Sequence, residues 1–310
     1  MNEALILHHY DSSPYSEKIR LMFGLTNMSW LSLLSPVWPP RPNVEPLAGG
    51  YRRIPVAQIG ADVFCDSALI AWEVARITQN PALDPANVDP GARGLMEQAE
   101  TEAFFAAIAA VPPLRLLGTM LRLFGPVGMY RFAKDRSGLL RGGTARPPEG
   151  AGAKKVLQSL LDALEARLAE CQWVGGDNAS VADFAAYHPL WLHVSCSRRP
   201  LEAGPNTRRW YERVGKLGHG RRQDISQGEA FTTARNADPR PLPASVEDAP
   251  LAIGTAVKVA PRDYGVVPVA GSLAAVTGDR VIIRRDTPDF GVLHVHFPRA
   301  GYSLEAAGAA

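Results

Sequence analysis

Apolar residues change period twice along this chain, and the changes divide it into three stretches. Leu5-Ile6-Leu7 reads as a short buried strand, and helical spacing follows through Ile19, Met22, Phe23 and Leu25. Asn27 is a C-terminal stop for that helix. Trp30-Leu31-Ser32-Leu33-Leu34 predicts a second strand, followed by a loop rich in proline. Val56-Ala57-Gln58-Ile59 and Val63-Phe64-Cys65 flank Gly60-Ala61-Asp62, the pattern of a hairpin. Asp66 then opens a helix that runs to about Ile77.

Pro81, Pro85 and Pro90 mark a linker, and beyond it the period becomes helical. Amphipathic, alanine-rich helices are predicted over about residues 91–111, 114–139, 152–171, 181–194 and 206–217. A second proline-rich linker runs from Ala237 to Pro250. The tail then alternates, in Thr255-Ala256-Val257-Lys258-Val259 and in Val292-Leu293-His294-Val295-His296-Phe297. The pattern therefore predicts an α/β domain over residues 1–80, an all-α domain over 90–236 and a small β-rich module over 250–310. A module of about sixty residues is near the lower size limit for independent folding, so it is expected to dock on the rest.

The 310 residues suffice for two or three domains, and a net charge of +2 gives no overall field that favours nucleic acid. The polar start Met1-Asn2-Glu3 does not resemble a signal peptide, and no apolar run is long enough to cross a bilayer, so stable membrane insertion is not expected. Cys65, Cys171 and Cys196 have no metal or redox spacing, and a cytoplasmic setting and the absence of a metal are the default expectations.

Ser13-Pro14-Tyr15-Ser16 opens the first helix directly after an apolar strand. A hydroxyl at such a position can ionise a bound thiol. Lowering a thiol pKa by two units takes about 2.7 kcal/mol. One charge-assisted hydrogen bond supplies roughly 1.5–3 kcal/mol, and a helix N-terminus roughly 0.3–1 kcal/mol more. The same serine also reads as a plain N-cap, with Pro14 suited to the first turn.

Four motifs in order, Ser13-Pro14-Tyr15-Ser16, Ile54-Pro55-Val56, Asp66-Ser67-Ala68-Leu69-Ile70 and Ser180-Val181-Ala182-Asp183, resemble the glutathione transferase superfamily. The resemblance implies a thioredoxin-like first domain over residues 4–77 and the family's helical second domain over 91–235. It implies that Ser13 stabilises the glutathione thiolate and that Pro55 is a cis-proline. It also implies that the Ile54 backbone pairs with the cysteinyl part of glutathione, and that Asp66 and Ser67 hold the γ-glutamyl end. Ser180 and Asp183 match a structural capping box. Trp38, Arg41, Arg52 and Arg53 are candidates for the glycyl carboxylate, since arginine fits a carboxylate bidentately. The motif carries no cysteine at 13 or 16, which argues against a protein mixed disulfide. Tyr10 lies near the tyrosine of other branches, but strand alternation is expected to turn it away. The Ser12-Ser13 pair resembles the zeta branch of isomerases, whose further Ser-Cys-Ser element is missing here.

The activity implied is conjugation of glutathione, as co-substrate, to a small hydrophobic electrophile lying near the 114–139 helix, with Tyr15, Met120 and Phe124 as pocket walls. Alternatives on the same fold are a non-catalytic binding or scaffold protein and a glutathione-dependent isomerase or dehalogenase. A homodimer is implied by the resemblance alone. His294 and His296 share one strand face but are too few for zinc, and are expected to be a surface or core pair. His8 and His9 are expected to serve packing or hydrogen bonding. Arg115, Arg122, Arg131, Lys134, Arg136, Arg141 and Arg146 face only Asp135 across one region, interleaved with apolar residues. That region reads as a helix over the substrate cleft with a basic outer face, or as a membrane-surface helix.

Overall fold

The computed structural model describes residues 4–247 and 249–308, so the N-terminal Met1-Asn2-Glu3 lies outside the described residues. The first unit runs β1 (Ile6–His9), α1 (Pro14–Leu25), β2 (Ser29–Leu34), the short α2 (Glu45–Ala48), β3 (Val56–Ile59), β4 (Asp62–Cys65) and α3 (Ser67–Thr78). Strand β1 pairs parallel with β2 and antiparallel with β3, and β3 pairs antiparallel with β4. This is the thioredoxin-like arrangement. Ser13 caps α1 by accepting from Ser16 N, and Asp66 caps α3 by accepting from Ala68 N.

The helical unit comprises α4 (Pro90–Glu100), α5 (Glu102–Ala109), α6 (Pro113–Ser137), α7 (Gly150–Glu170), α8 (Val181–Ser197) and α9 (Pro205–Gly215). Its centre is α8, whose start is fixed by the Ser180/Asp183 capping box. The buried Asp183 carboxylate accepts from the backbone N–H groups of Val174, Gly175 and Ser180 and from Trp210 Nε1. The region expected to be wholly helical also holds β5 (Arg221–Asp224), which pairs parallel with β2, and α10 (Gln227–Arg235). Ala230 of α10 packs on Ile6 and Leu33, so this stretch returns to the first unit. Every residue of β5 is exposed, so no alternation of apolar and polar positions marks it as a strand.

The tail forms β6 (Ala256–Pro261), β7 (Val269–Val276), β8 (Arg280–Thr287), β9 (Gly291–Pro298) and β10 (Tyr302–Ala306). It does not stand apart. Strand β9 pairs parallel with β4, with Asp62 opposite His294 and Phe64 opposite His296, and the result is one ten-stranded sheet. One apolar cluster runs across the junction, from Tyr51, Val63 and Cys65 to Val295, Phe297 and Tyr302. Below the junction the buried Asp62 carboxylate accepts from His296 Nε2 at 2.7 Å and from the Arg240 backbone N–H at 2.9 Å.

Three further histidines are buried. His8 bonds Gln58, His9 bonds Ser32, and His188 packs against Tyr15. Burial lowers all three imidazoles, His8 to about 4 and His9 and His188 to about 3, with the charge of Arg20 adding to the effect at His9. Folding therefore excludes protons that the unfolded chain takes up below its ordinary pKa of about 6.5. The stability present above that value is lost as pH falls, by about 2 kcal/mol per histidine at pH 5. We expect the unfolding free energy, measured by denaturant titration, to drop by several kcal/mol between pH 7 and pH 5. His8→Gln should flatten the profile by about 2 kcal/mol. A profile that is level over this range in the parent protein would contradict the assignment.

Candidate functional site

A cavity of ≈ 470 Å3 opens between the thioredoxin-like unit and the helices. Its lining includes Ser13, at the mouth of α1, and Ile54, which precedes the cis peptide bond to Pro55. Ser13 is almost fully buried. Its oxygen accepts from Ser16 N at 3.2 Å, and among the described residues its hydroxyl proton is donated to no protein acceptor. That proton is available to an anion in the cavity. Tyr10 also lines the wall, contrary to the expectation that alternation turns it away, because the chain has left β1 by then. Its hydroxyl accepts from Arg136 at 3.4 Å.

Most of the remaining lining is apolar and includes Tyr15, Met120 and Phe124 together with Phe104, Phe105 and Trp191. Met120 and Phe124 come from α6, which lies over the cavity with a break at Gly125 before Pro126. Cys196 lies in the wall as well, but burial pushes its thiol up to about 11, and burial raises Cys65 too. Neither side chain supplies a thiolate near neutral pH. Among the described residues no group of three His, Cys, Asp or Glu is arranged to hold a metal.

The remaining glutathione candidates are divided. Arg41 and Arg53 line the cavity, whereas Pro55, Asp66 and Ser67 do not. Arg41 is buried and donates to the carbonyls of Pro36, Val37 and Arg52, so it holds the proline-rich loop in shape. Arg53 turns to the C-terminal module. It pairs with the Asp263 carboxylate, donates to the Tyr264 carbonyl and lies 4.0 Å from the centre of the Tyr264 ring. Both Asp66 oxygens are engaged within the chain: Oδ1 by Ala68 N, and Oδ2 by the Tyr302 hydroxyl at 2.9 Å with Arg53 at 3.6 Å. Tyr302 in turn bonds Tyr51.

Tyr264 and Tyr302 were missed in the sequence because both lie in the tail, far from every motif. Tyr264 reaches the cavity wall and packs edge-on against Phe105. The loop that carries it is clamped by the helical unit: Thr144 N and Ala145 N donate to the Arg262 and Asp263 carbonyls, and Gly265 N donates to Leu139 O. Gly143 makes the close approach, since a Cβ there would overlap the Asp263 carbonyl.

Models of known families match two parts of the chain: the glutathione S-transferase N-terminal domain over residues 7–81 and the glutathione S-transferase C-terminal domain over residues 145–217. A GST-like protein from Pseudomonas syringae, solved by crystallography, is 30% identical, with a TM-score of 0.72, over 97% of this chain and 99% of that chain. This chain belongs to the glutathione S-transferase family. Two lesser likenesses are a delta-class glutathione transferase from Nilaparvata lugens and human glutathione-S-transferase T1-1. The first is 18% identical, with a TM-score of 0.45, over 70% of this chain and 90% of that one. The second is 16% identical, with a TM-score of 0.45, over 69% and 84%. No curated protein matches the sequence. The Pseudomonas syringae likeness extends along nearly the whole chain, so it takes in the β-rich module as well as the two glutathione S-transferase domains.

The clamp on the Tyr264 loop is testable. Gly143→Val introduces a side chain where the Asp263 carbonyl sits and should release the loop. Amide hydrogen exchange at Thr144, Ala145 and Gly265 should quicken by at least about tenfold, the signature of a local opening. Unchanged exchange at these three amides would refute the clamp.

Proposed function

We propose that this protein is a glutathione-dependent transferase that joins the glutathione sulfur to a small apolar electrophile. One observation carries the reading: the Ser13 hydroxyl, whose proton has no protein acceptor among the described residues, the Ile54 backbone edge and a wall of aromatic and aliphatic side chains share one cavity. Ser13 Oγ–H would donate to the thiolate, and the α1 N-terminus adds its dipole. Ile54 N–H and C=O would pair with the cysteinyl backbone. The electrophile would rest on Phe104, Met120 and Phe124, within reach of the sulfur. The thiolate then forms the S–C bond while the leaving group departs with its electron pair. Proximity and thiolate stabilisation suffice for this chemistry. A homodimer enters the reading through the family resemblance alone, and a cytoplasmic setting through the cysteine pattern.

The Ser13→Ala variant separates activation from binding. Loss of one charge-assisted hydrogen bond, roughly 1.5–3 kcal/mol, should lower kcat/KM about tenfold to a hundredfold. The pH dependence of the reaction should move to higher pH, because the thiolate loses its donor. Glutathione affinity above the thiol pKa aside, binding of the tripeptide should change little. Turnover equal to the parent's would remove Ser13 from the mechanism.

The engagement of Asp66 favours a second reading, a non-catalytic protein that binds an apolar ligand in the same cavity. Here the γ-glutamyl ammonium would have to displace Tyr302 and Arg53 from the carboxylate. Calorimetric titration decides between the two. As a transferase, the protein binds glutathione, and Tyr302→Phe, which removes one competing donor from Asp66, tightens binding several-fold. No heat with glutathione in either form, together with binding of apolar ligands, would leave the second reading. Regenerated or oxidised glutathione among the products would instead indicate isomerisation or dehalogenation.

A further inference from the structure

Helix α6 is the least buried long element of the protein. Of its 25 residues only Thr119 is buried. Leu114, Leu117 and Leu121 recur at helical spacing and form one outward stripe, with Leu114 at 84% exposure. Beyond the break at Gly125, Val127 and Tyr130 are also exposed, at 66% and 67%. Exposed Arg115, Arg122, Arg131 and Lys134 flank these residues on the helix, and exposed Arg141 and Arg146 follow in the loop. Between residues 113 and 146 Asp135 is the only acidic residue, and Arg52 and Arg136 already pair with it.

We infer that the outer face of α6 docks on an anionic lipid surface. The pattern of exposed leucines, a valine and a tyrosine edged by arginine and lysine is that of a helix lying in the plane of a membrane interface. The apolar stripe would enter the headgroup boundary, and the basic residues would meet lipid phosphates, each contributing about fivefold in affinity. Neither α5 nor α6 is by itself long and apolar enough to span a bilayer, and the two meet at 92°. The face therefore suits lying on a surface. A second copy of the chain is a poor occupant, since a two-fold contact would set this basic strip against itself. A polyanion in solution would satisfy the arginines but leave the leucines in water. The inner face of the same helix carries Met120 and Phe124 into the cavity, so docking would set the roof of the cavity against lipid.

The experiment is flotation of the purified full chain with vesicles of phosphatidylcholine alone or mixed equally with phosphatidylglycerol, at low and high salt. Binding to the mixed vesicles that weakens at high salt is expected, with at least a tenfold preference over neutral vesicles. Arg122→Gln/Arg131→Gln/Lys134→Gln should weaken it roughly a hundredfold, the equivalent of three such charges. Leu114→Ser/Leu117→Ser should weaken it at least tenfold without altering circular dichroism, since Leu114 is 84% exposed and Leu117 45%. No flotation, equal binding to neutral vesicles, or variants that bind like the parent would overturn the inference. So would a dimer, seen by light scattering, that the leucine pair dissociates while vesicles are ignored. None of these readouts involves glutathione or Ser13, so the result is independent of the proposed activity.

Discussion

The edge of β4 is the constraint on which the rest of the architecture depends. An open strand edge presents a row of unpaired N–H and C=O groups, and here β9 takes them up in parallel register. The tail is near the lower size limit for independent folding, and its apolar residues are shared with the thioredoxin-like unit through one cluster. The junction is polar at its lower margin. Asp62 is pulled up by burial, but the hydrogen bond from His296 and the contacts of Arg240 outweigh this and hold the carboxyl below its usual range. The ionised carboxylate is therefore part of the joint, and removing one partner would leave a buried charge uncompensated.

Because the module is fixed by its strands, its loops have a fixed reach. The turn between β6 and β7 delivers Asp263 and Tyr264 to Arg53, and the start of β10 delivers Tyr302 to Asp66. The clamp from residues 144 and 145 holds the same turn from the helical side. Three separate units of chain thus meet at one end of the cavity. The carboxylate that opens α3 is satisfied by this chain's own guanidinium and phenol. A ligand ammonium would act as an exchange partner there, so the strength of the Tyr302 and Arg53 contacts sets how readily that end of the site admits one.

Much of this was legible in the sequence where local chemistry determines local structure. Pro14 after Ser13, Asp66 before Ser67 and the Ser180/Asp183 pair all mark helix starts that the structure contains, because a cap is decided within four residues. The strands of the tail were readable from alternation. What the sequence could not convey was non-local. Nothing in Val63-Phe64-Cys65 or in His294-Val295-His296 says that they pair, since parallel register leaves no turn signature. Arg53 looked like a carboxylate binder. The carboxylates it meets, Asp263 and Asp66, belong to the chain itself, and one of them lies some two hundred residues away, as the pairing shows. The division of the candidate site follows from that single topological fact.

The charge balance of the cavity wall bears on the role proposed for Ser13. Arg52 and Arg136 share one carboxylate, Asp135, while Arg41 has only carbonyl oxygens as partners. Burial, with the neighbouring Arg136 and Arg52 charges, pushes the Arg41 guanidinium down to about 10. A cation held in that environment without an anion of its own is relieved by any negative charge that arrives beside it. The cavity wall that contains these arginines also contains Ser13. An ionised sulfur there would gain from the local positive excess as well as from the hydroxyl, whereas a neutral thiol would gain from neither. On the proposed reading, an anion at the mouth of α1 would share its cavity wall with Arg41, and an uncharged partner would meet the apolar side chains of the same lining.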